Sequence, residues 1–171
     1  MRRAWLLIPL LLLSSLACGY RFVGGAAGLP GVAAVVIETP TNDSFEPGLE
    51  FLVADALRRE LLRRGGARLV EEREGADLII SGRVAALRAR SRSQSSVYLA
   101  LEYGLTLELD LEVHRADGEC LPVSRRLADT ERYLASADVE AERKNRGEAV
   151  RRVASVLASR YFDRVSEVLS R

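Results

Sequence analysis

The sequence predicts an α+β domain: two amphipathic helices packed on one face of a four-stranded mixed sheet, in the order β-α-β-β-β-α. Three observations lead there. Apolar residues recur at helical spacing over residues 49–61 and again over 150–168, and the stretch between them alternates strictly from Leu99 to Val113. The 171 residues are 48% hydrophobic and 29% charged, which suits one globular domain rather than a disordered chain.

Val32 to Ile37 (VAAVVI) is rich in β-branched residues and ends at Pro40 and the turn-rich TNDSFEPG, so it forms the first strand. Pro47 suits a first helical turn. Leu49, Leu52, Val53, Ala56, Leu57 and Leu61 then make an apolar stripe that Gly65-Gly66 stops. Glu50, Arg58, Arg59, Glu60, Arg63 and Arg64 fall off that stripe and are expected in solvent. Arg68 to Val70 is a short extended piece before the acidic loop EEREGAD.

A long strand is expected from Asp77 to about Arg92. The next strand places Leu99, Leu101, Tyr103, Leu105, Leu107, Leu109, Leu111 and Val113 on one face. Glu102, Thr106, Glu108, Asp110, Glu112 and His114 take the other. Fifteen unbroken residues would reach about 50 Å, so either the domain is elongated or Gly104 marks a bulge. Ala116-Asp117-Gly118-Glu119 is a hairpin turn, and Cys120 to about Leu134 returns as an edge strand with Pro122 near its start. Asp138 caps the last helix, whose stripe is Val150, Val153, Ala154, Leu157, Tyr161, Val165 and Val168.

The N-terminus has a separate logic. Met1, Arg2 and Arg3 precede ten apolar residues, Ala4 to Leu13, and a short tail Ser14-Ser15-Leu16-Ala17, which is the anatomy of a bacterial export signal; a buried core helix is the alternative. The division expected is a removed signal peptide (1–17), a lipidated N-terminus and tether (18–31), and a single domain (32–171). Ser15 and Ala17 would also satisfy ordinary signal peptidase. Ser15-Leu16-Ala17-Cys18 resembles the lipobox of bacterial lipoproteins, with serine in place of the commoner leucine three residues before the cysteine. That resemblance implies a diacylglycerol thioether and an amide-linked acyl chain on Cys18, and Gly19 implies sorting to the outer membrane. Three acyl chains would hold the protein permanently, since one alone binds marginally at about 0.8 kcal/mol per buried methylene.

Composition excludes several classes. Removing residues 1–17 takes away Arg2 and Arg3 and shifts the formal net charge from +1 to −1, so the electrostatic footprint of a nucleic-acid partner is missing. The two cysteines, Cys18 and Cys120, are too few for a disulfide scaffold. Cys120 is a single thiol if Cys18 is acylated, and a Cys18–Cys120 disulfide is open if it is not. His114 alone on a polar face reads as a solvated side chain, and no GxSxG, Walker, HExxH or CxxC pattern is present, so no enzyme is expected. Glu108, Asp110 and Glu112 share a face about 6.6 Å apart, which suggests a hydrolase pair or a calcium site, or a charged solvent face paired with arginines of the next strand.

Three stretches together carry a wider resemblance: the lipobox with Cys18-Gly19-Tyr20-Arg21-Phe22, then Thr41 to Glu50 (TNDSFEPGLE) opening a helix, then Ala76 to Gly82 (ADLIISG) opening a strand. They resemble the LptE family of outer-membrane lipoproteins that assemble lipopolysaccharide. The resemblance implies two helices on a four-stranded sheet and a plug within the lumen of an LptD-type β-barrel. It also implies a lipid anchor in the inner leaflet of the outer membrane, a periplasmic face, and no cofactor beyond the acyl groups on Cys18. Lipopolysaccharide phosphates would meet Arg88, Arg90 and Arg92, which alternate onto one face before the loop Ser93-Gln94-Ser95-Ser96; arginines that only solubilise a strand end or touch a partner are the alternative. In a simple hairpin Arg92 faces Val97 and Arg90 faces Leu99, so the face apolar at Leu78, Ile80, Val84 and Ala86 would turn basic at its tip. A second resemblance, to periplasmic lipoproteins that activate cell-wall synthases or form curli secretion pores, implies a synthase partner or a ring instead.

Overall fold

The computed structural model describes residues 28–94 and 100–171. The expected signal peptide, Cys18, the Gly19–Phe22 stretch, and Ser95, Ser96, Val97 and Leu99 lie outside the described residues.

The elements run β1 (Ala34–Ile37), β2 (Thr41–Asn42), α1 (Leu49–Arg64), β3 (Arg68–Val70), β4 (Leu78–Gln94), β5 (Ala100–Arg115), β6 (Arg126–Leu134) and α2 (Val139–Leu169). The sheet order is β3-β1-β4-β5-β6, and β2 also pairs with β4. β1 lies parallel to β3 and β4, β2 lies parallel to β4, and β4, β5 and β6 form an antiparallel meander. The mixed sheet and the two helices on one face are as predicted, but among the described residues the sheet has six strands rather than four and the order is β-β-α-β-β-β-β-α.

The two additional strands are too short to carry a period. β3 is the Arg68–Val70 piece, paired in register with Ala34–Val36. β2 continues the edge that β1 begins: β1 pairs with Leu78, Ile79 and Ile80, and β2 with Arg83 and Val84. Between them stands Pro40, which has no N–H to give to a ladder.

One core fills the space between sheet and helices. Leu105, Leu107, Leu109, Leu111 and Val113 of β5 meet Leu57 and Leu61 of α1 and Leu157, Tyr161 and Phe162 of α2, all fully buried. Each such side chain contributes roughly 1.5–3 kcal/mol through burial. The predicted cap holds: Asp138 Oδ1 accepts from the Glu140 and Ala141 amides at 2.8 and 3.4 Å. So does the turn, where Gly118 takes φ 91° and Arg115 and Glu119 pair across it.

Three expectations need correction. Glu60 and Arg64, expected in solvent, are buried, because α1 packs against α2 as well as the sheet. Arg64 spans that seam: it bonds Glu60 at 2.8 Å and Asp163 at 2.6 Å, and lies 5.7 Å from the centre of the Phe162 ring. The edge strand begins at Arg126, not Cys120; Cys120 makes one bridge to His114, while Leu121 and Val123 are buried without joining a ladder. Gly104 is not a bulge either. β5 runs unbroken for 16 residues, and the irregularities fall elsewhere, with the extra residue in β4 between Val84 and Ala86 and between Ser91 and Ser93, and in β5 between Ala100 and Glu102.

Candidate functional site: the open face of the sheet

The face of β4, β5 and β6 turned away from the helices is built from the polar half of each alternation. Asp110 sits between two arginines, with Arg83 Nη2 at 2.7 Å and Arg126 Nε at 3.1 Å, and Arg83 also reaches Asp43 at 2.7 Å. Arg126, and then Arg83, hold the Asp110 carboxyl below its usual range against the opposing effect of burial. Glu108 pairs with Arg88, Glu112 with Arg125 at 3.0 Å, and Glu102 with Arg132 at 3.6 Å. Thr106 and Thr130 share a hydrogen bond of 2.7 Å across β5 and β6. The carboxylate row of β5 is therefore a charged face matched by arginines of its neighbours. That pairing was one of the alternatives its spacing left open.

The arginines of β4 land on this same face. The bulge at Ala85 lets Val84 oppose Leu109 while Ala86 opposes Glu108, so the side chains from Ala86 to Ser91 change face. Leu87 and Ala89 then take the core side opposite Leu107 and Leu105, and Arg88 and Arg90 oppose Thr106 and Gly104. Arg92 falls at the second irregularity, and its Cδ would lie 3.2 Å from a Cβ at Gly104. The absence of a side chain at Gly104 makes room for that arginine stem. The expected register is thus overturned: Arg90 does not face Leu99, and the apolar strip of Leu78, Ile80 and Val84 does not continue into Arg88, Arg90 and Arg92. Arg90 and Arg92 have no carboxylate partner among the described residues.

The two described stretches that carried the resemblance prove to be joints. Asp77 Oδ2 accepts from the Ala33 and Ala34 amides at 2.7 and 2.9 Å, which locks β4 to the start of β1 and lowers the Asp77 pKa. Gly82 has φ 151°, and a Cβ there would stand 2.2 Å from the Asp110 carbonyl oxygen. In the other stretch the Asn42 amide donates to the Glu46 carbonyl at 2.8 Å and to Glu50 at 2.6 Å, while its oxygen accepts from the Ser44 amide and hydroxyl. Gly48 then turns the chain into α1 with φ 81°. Neither stretch presents a reactive group.

One cluster on the open face went unrecognised in the sequence: Glu112, His114 and Cys120, whose ligand atoms all lie within 4.8 Å of one another. Cys120 lies six residues beyond His114, and only the turn at Gly118 brings the two together.

Comparison with known proteins agrees with this architecture. The rare lipoprotein B of Shewanella oneidensis has a TM-score of 0.53 and 15% identity, covering 78% of this chain and 94% of that chain. Lipoprotein B of Nitrosomonas europaea has a TM-score of 0.54 and 18% identity over 88% of both chains. The hypothetical protein CT253 of Chlamydia trachomatis has a TM-score of 0.55 and 8% identity, covering 81% of this chain and 98% of that chain. Identities this low establish the shared fold alone. No curated protein sequence matches the chain significantly. The family model LptE, lipopolysaccharide-assembly, matches residues 32–165, nearly the whole described domain. The chain belongs to the LptE family of lipopolysaccharide-assembly proteins.

Proposed function

We propose that this protein is an outer-membrane lipoprotein, anchored through acylated Cys18 on the periplasmic side, that plugs an LptD-type β-barrel and assists lipopolysaccharide assembly. Family membership sets the general role. The observation that carries the plug reading is the open sheet face, where arginine–carboxylate pairs and a threonine pair occupy the position of an apolar surface. A barrel lumen is polar and wet, and a surface most of whose charges are already matched enters it with few unpaired ions.

Arg88, Arg90 and Arg92 at the far end of this face would meet lipopolysaccharide phosphates, with Arg88 exchanging Glu108 for the new anion. Acyl chains would find no apolar strip beside them on this face, because Leu78, Ile80, Val84 and Leu87 point to its other side. The experiment is affinity purification of the full-length protein from outer membranes. A heat-modifiable β-barrel partner supports the plug; a transpeptidase or a ring of identical copies contradicts it.

A further inference from the structure

We propose that Glu112, His114 and Cys120 form a binding site for a borderline-soft divalent cation, zinc being the best match. The site lies on the open face at the hairpin end, distant from the arginines of β4, and is independent of the plug reading. Glu112 and His114 are two apart on β5 and so project from the same face, while Cys120 is bridged to His114 in the returning chain. Carboxylate, imidazole and thiolate are the donor types zinc takes, at about 2.0–2.3 Å, whereas calcium and magnesium require oxygen ligands.

The geometry needs little adjustment. Bonds of that length in a tetrahedron separate the ligand atoms by roughly 3.3–3.8 Å. Glu112 Oε2 and His114 Nε2 already stand 3.3 Å apart, and all three donors lie within 4.8 Å. Cys120 is exposed, so rotation of its side chain closes the rest. His114 also lines a cavity of about 560 Å³ with Ser81, Arg115 and Gly118, so its ring is open to solvent on that side. One group opposes the cation: Arg125 pairs with Glu112 at 3.0 Å and lies 3.9 Å from the Cys120 sulfur. Its side chain is 62% exposed and can swing into solvent. On binding, the Cys120 thiol loses its proton to water and a metal–sulfur bond forms, so affinity rises with pH. The bound ion would clip the segment after the turn to β5, where the native ladder offers one bridge.

The test uses the full-length chain with Cys18→Ser, leaving Cys120 as its only thiol, purified in detergent and titrated with cobalt(II) and then zinc. Expected are one cobalt per chain, a sulfur-to-cobalt charge-transfer absorption that zinc abolishes, and loss of that absorption in Cys120→Ser. His114→Ala and Glu112→Gln should each weaken affinity at least about tenfold, the lower bound for disturbing even a supporting group. Arg125→Ala should tighten binding, a gain that misfolding cannot imitate. Absence of the charge-transfer absorption, unchanged affinity in His114→Ala or Glu112→Gln, or weaker binding in Arg125→Ala would each overturn the site.

Discussion

Arg146 grips Glu46 with both arms of its guanidinium, Nη1 to Oε1 and Nη2 to Oε2 at 2.7 Å each, across 100 residues of sequence. The pair ties the loop that opens α1 to the first half of α2. The hydrogen bonds from Arg146 pull the Glu46 pKa down, against partial burial. Both side chains are about one-third exposed, so solvent screens the pair, and Arg146→Ala should cost about 1 kcal/mol. Urea unfolding measures it; a change below about 0.3 kcal/mol would remove this joint from the account of the fold.

Glu60 gives the fold an acid limit. Hydrogen bonds from Arg63, and then Arg64, hold its pKa at about 2 despite the opposing effect of burial. A carboxylate whose folded pKa lies below its unfolded value stabilises the protein fully above the unfolded pKa. That contribution is lost as pH falls through the folded pKa, so here it fades from about pH 4.5 down to about pH 2. It amounts to roughly 2–4 kcal/mol at neutral pH. Glu60→Gln should flatten stability against pH across that window; an unchanged slope would contradict the assignment.

Gly82 should tolerate no side chain. With φ 151° and the Asp110 carbonyl oxygen 2.2 Å from a Cβ position, Gly82→Ala must shift β4 against β5. The expected loss is about 3 kcal/mol or more, read as a large fall in the urea midpoint. Gly104→Ala is the control: it meets the flexible Arg92 stem at 3.2 Å and should cost far less.

Tyr161 is a candidate for improvement. Its ring is fully buried against Phe162, but its hydroxyl has no hydrogen-bond partner among the described residues, and burial pushes its pKa up. Tyr161→Phe removes a stranded polar group and should be neutral or stabilising by about 1 kcal/mol. A clear loss of thermal stability would show that the hydroxyl has a partner in solution.

These particulars show what a sequence makes legible. The helix stripes, the Asp138 cap, the turn at Gly118 and the apolar face of β5 follow from local spacing, so they could be read directly. The bulge at Ala85 could not, because Val84-Ala85-Ala86 fits either face and nothing in the composition marks the extra residue. That one residue moved Arg88 and Arg90 from the core side to the open face. Burial of Glu60 and Arg64 was equally hidden, since only the contact of α1 with α2 puts Asp163 beside Arg64. Cys120 and His114 became a cluster through a single antiparallel bridge across the turn, which spacing alone does not reveal.

The most direct test of the plug is a photo-reactive residue at Thr130, in the middle of the open face beside Thr106. In cells carrying the full-length protein, illumination should join Thr130 to a β-barrel protein whose crosslinked band shifts on heating. Crosslinking to a soluble enzyme or to a second copy of the chain, with no heat-modifiable product, would contradict the account.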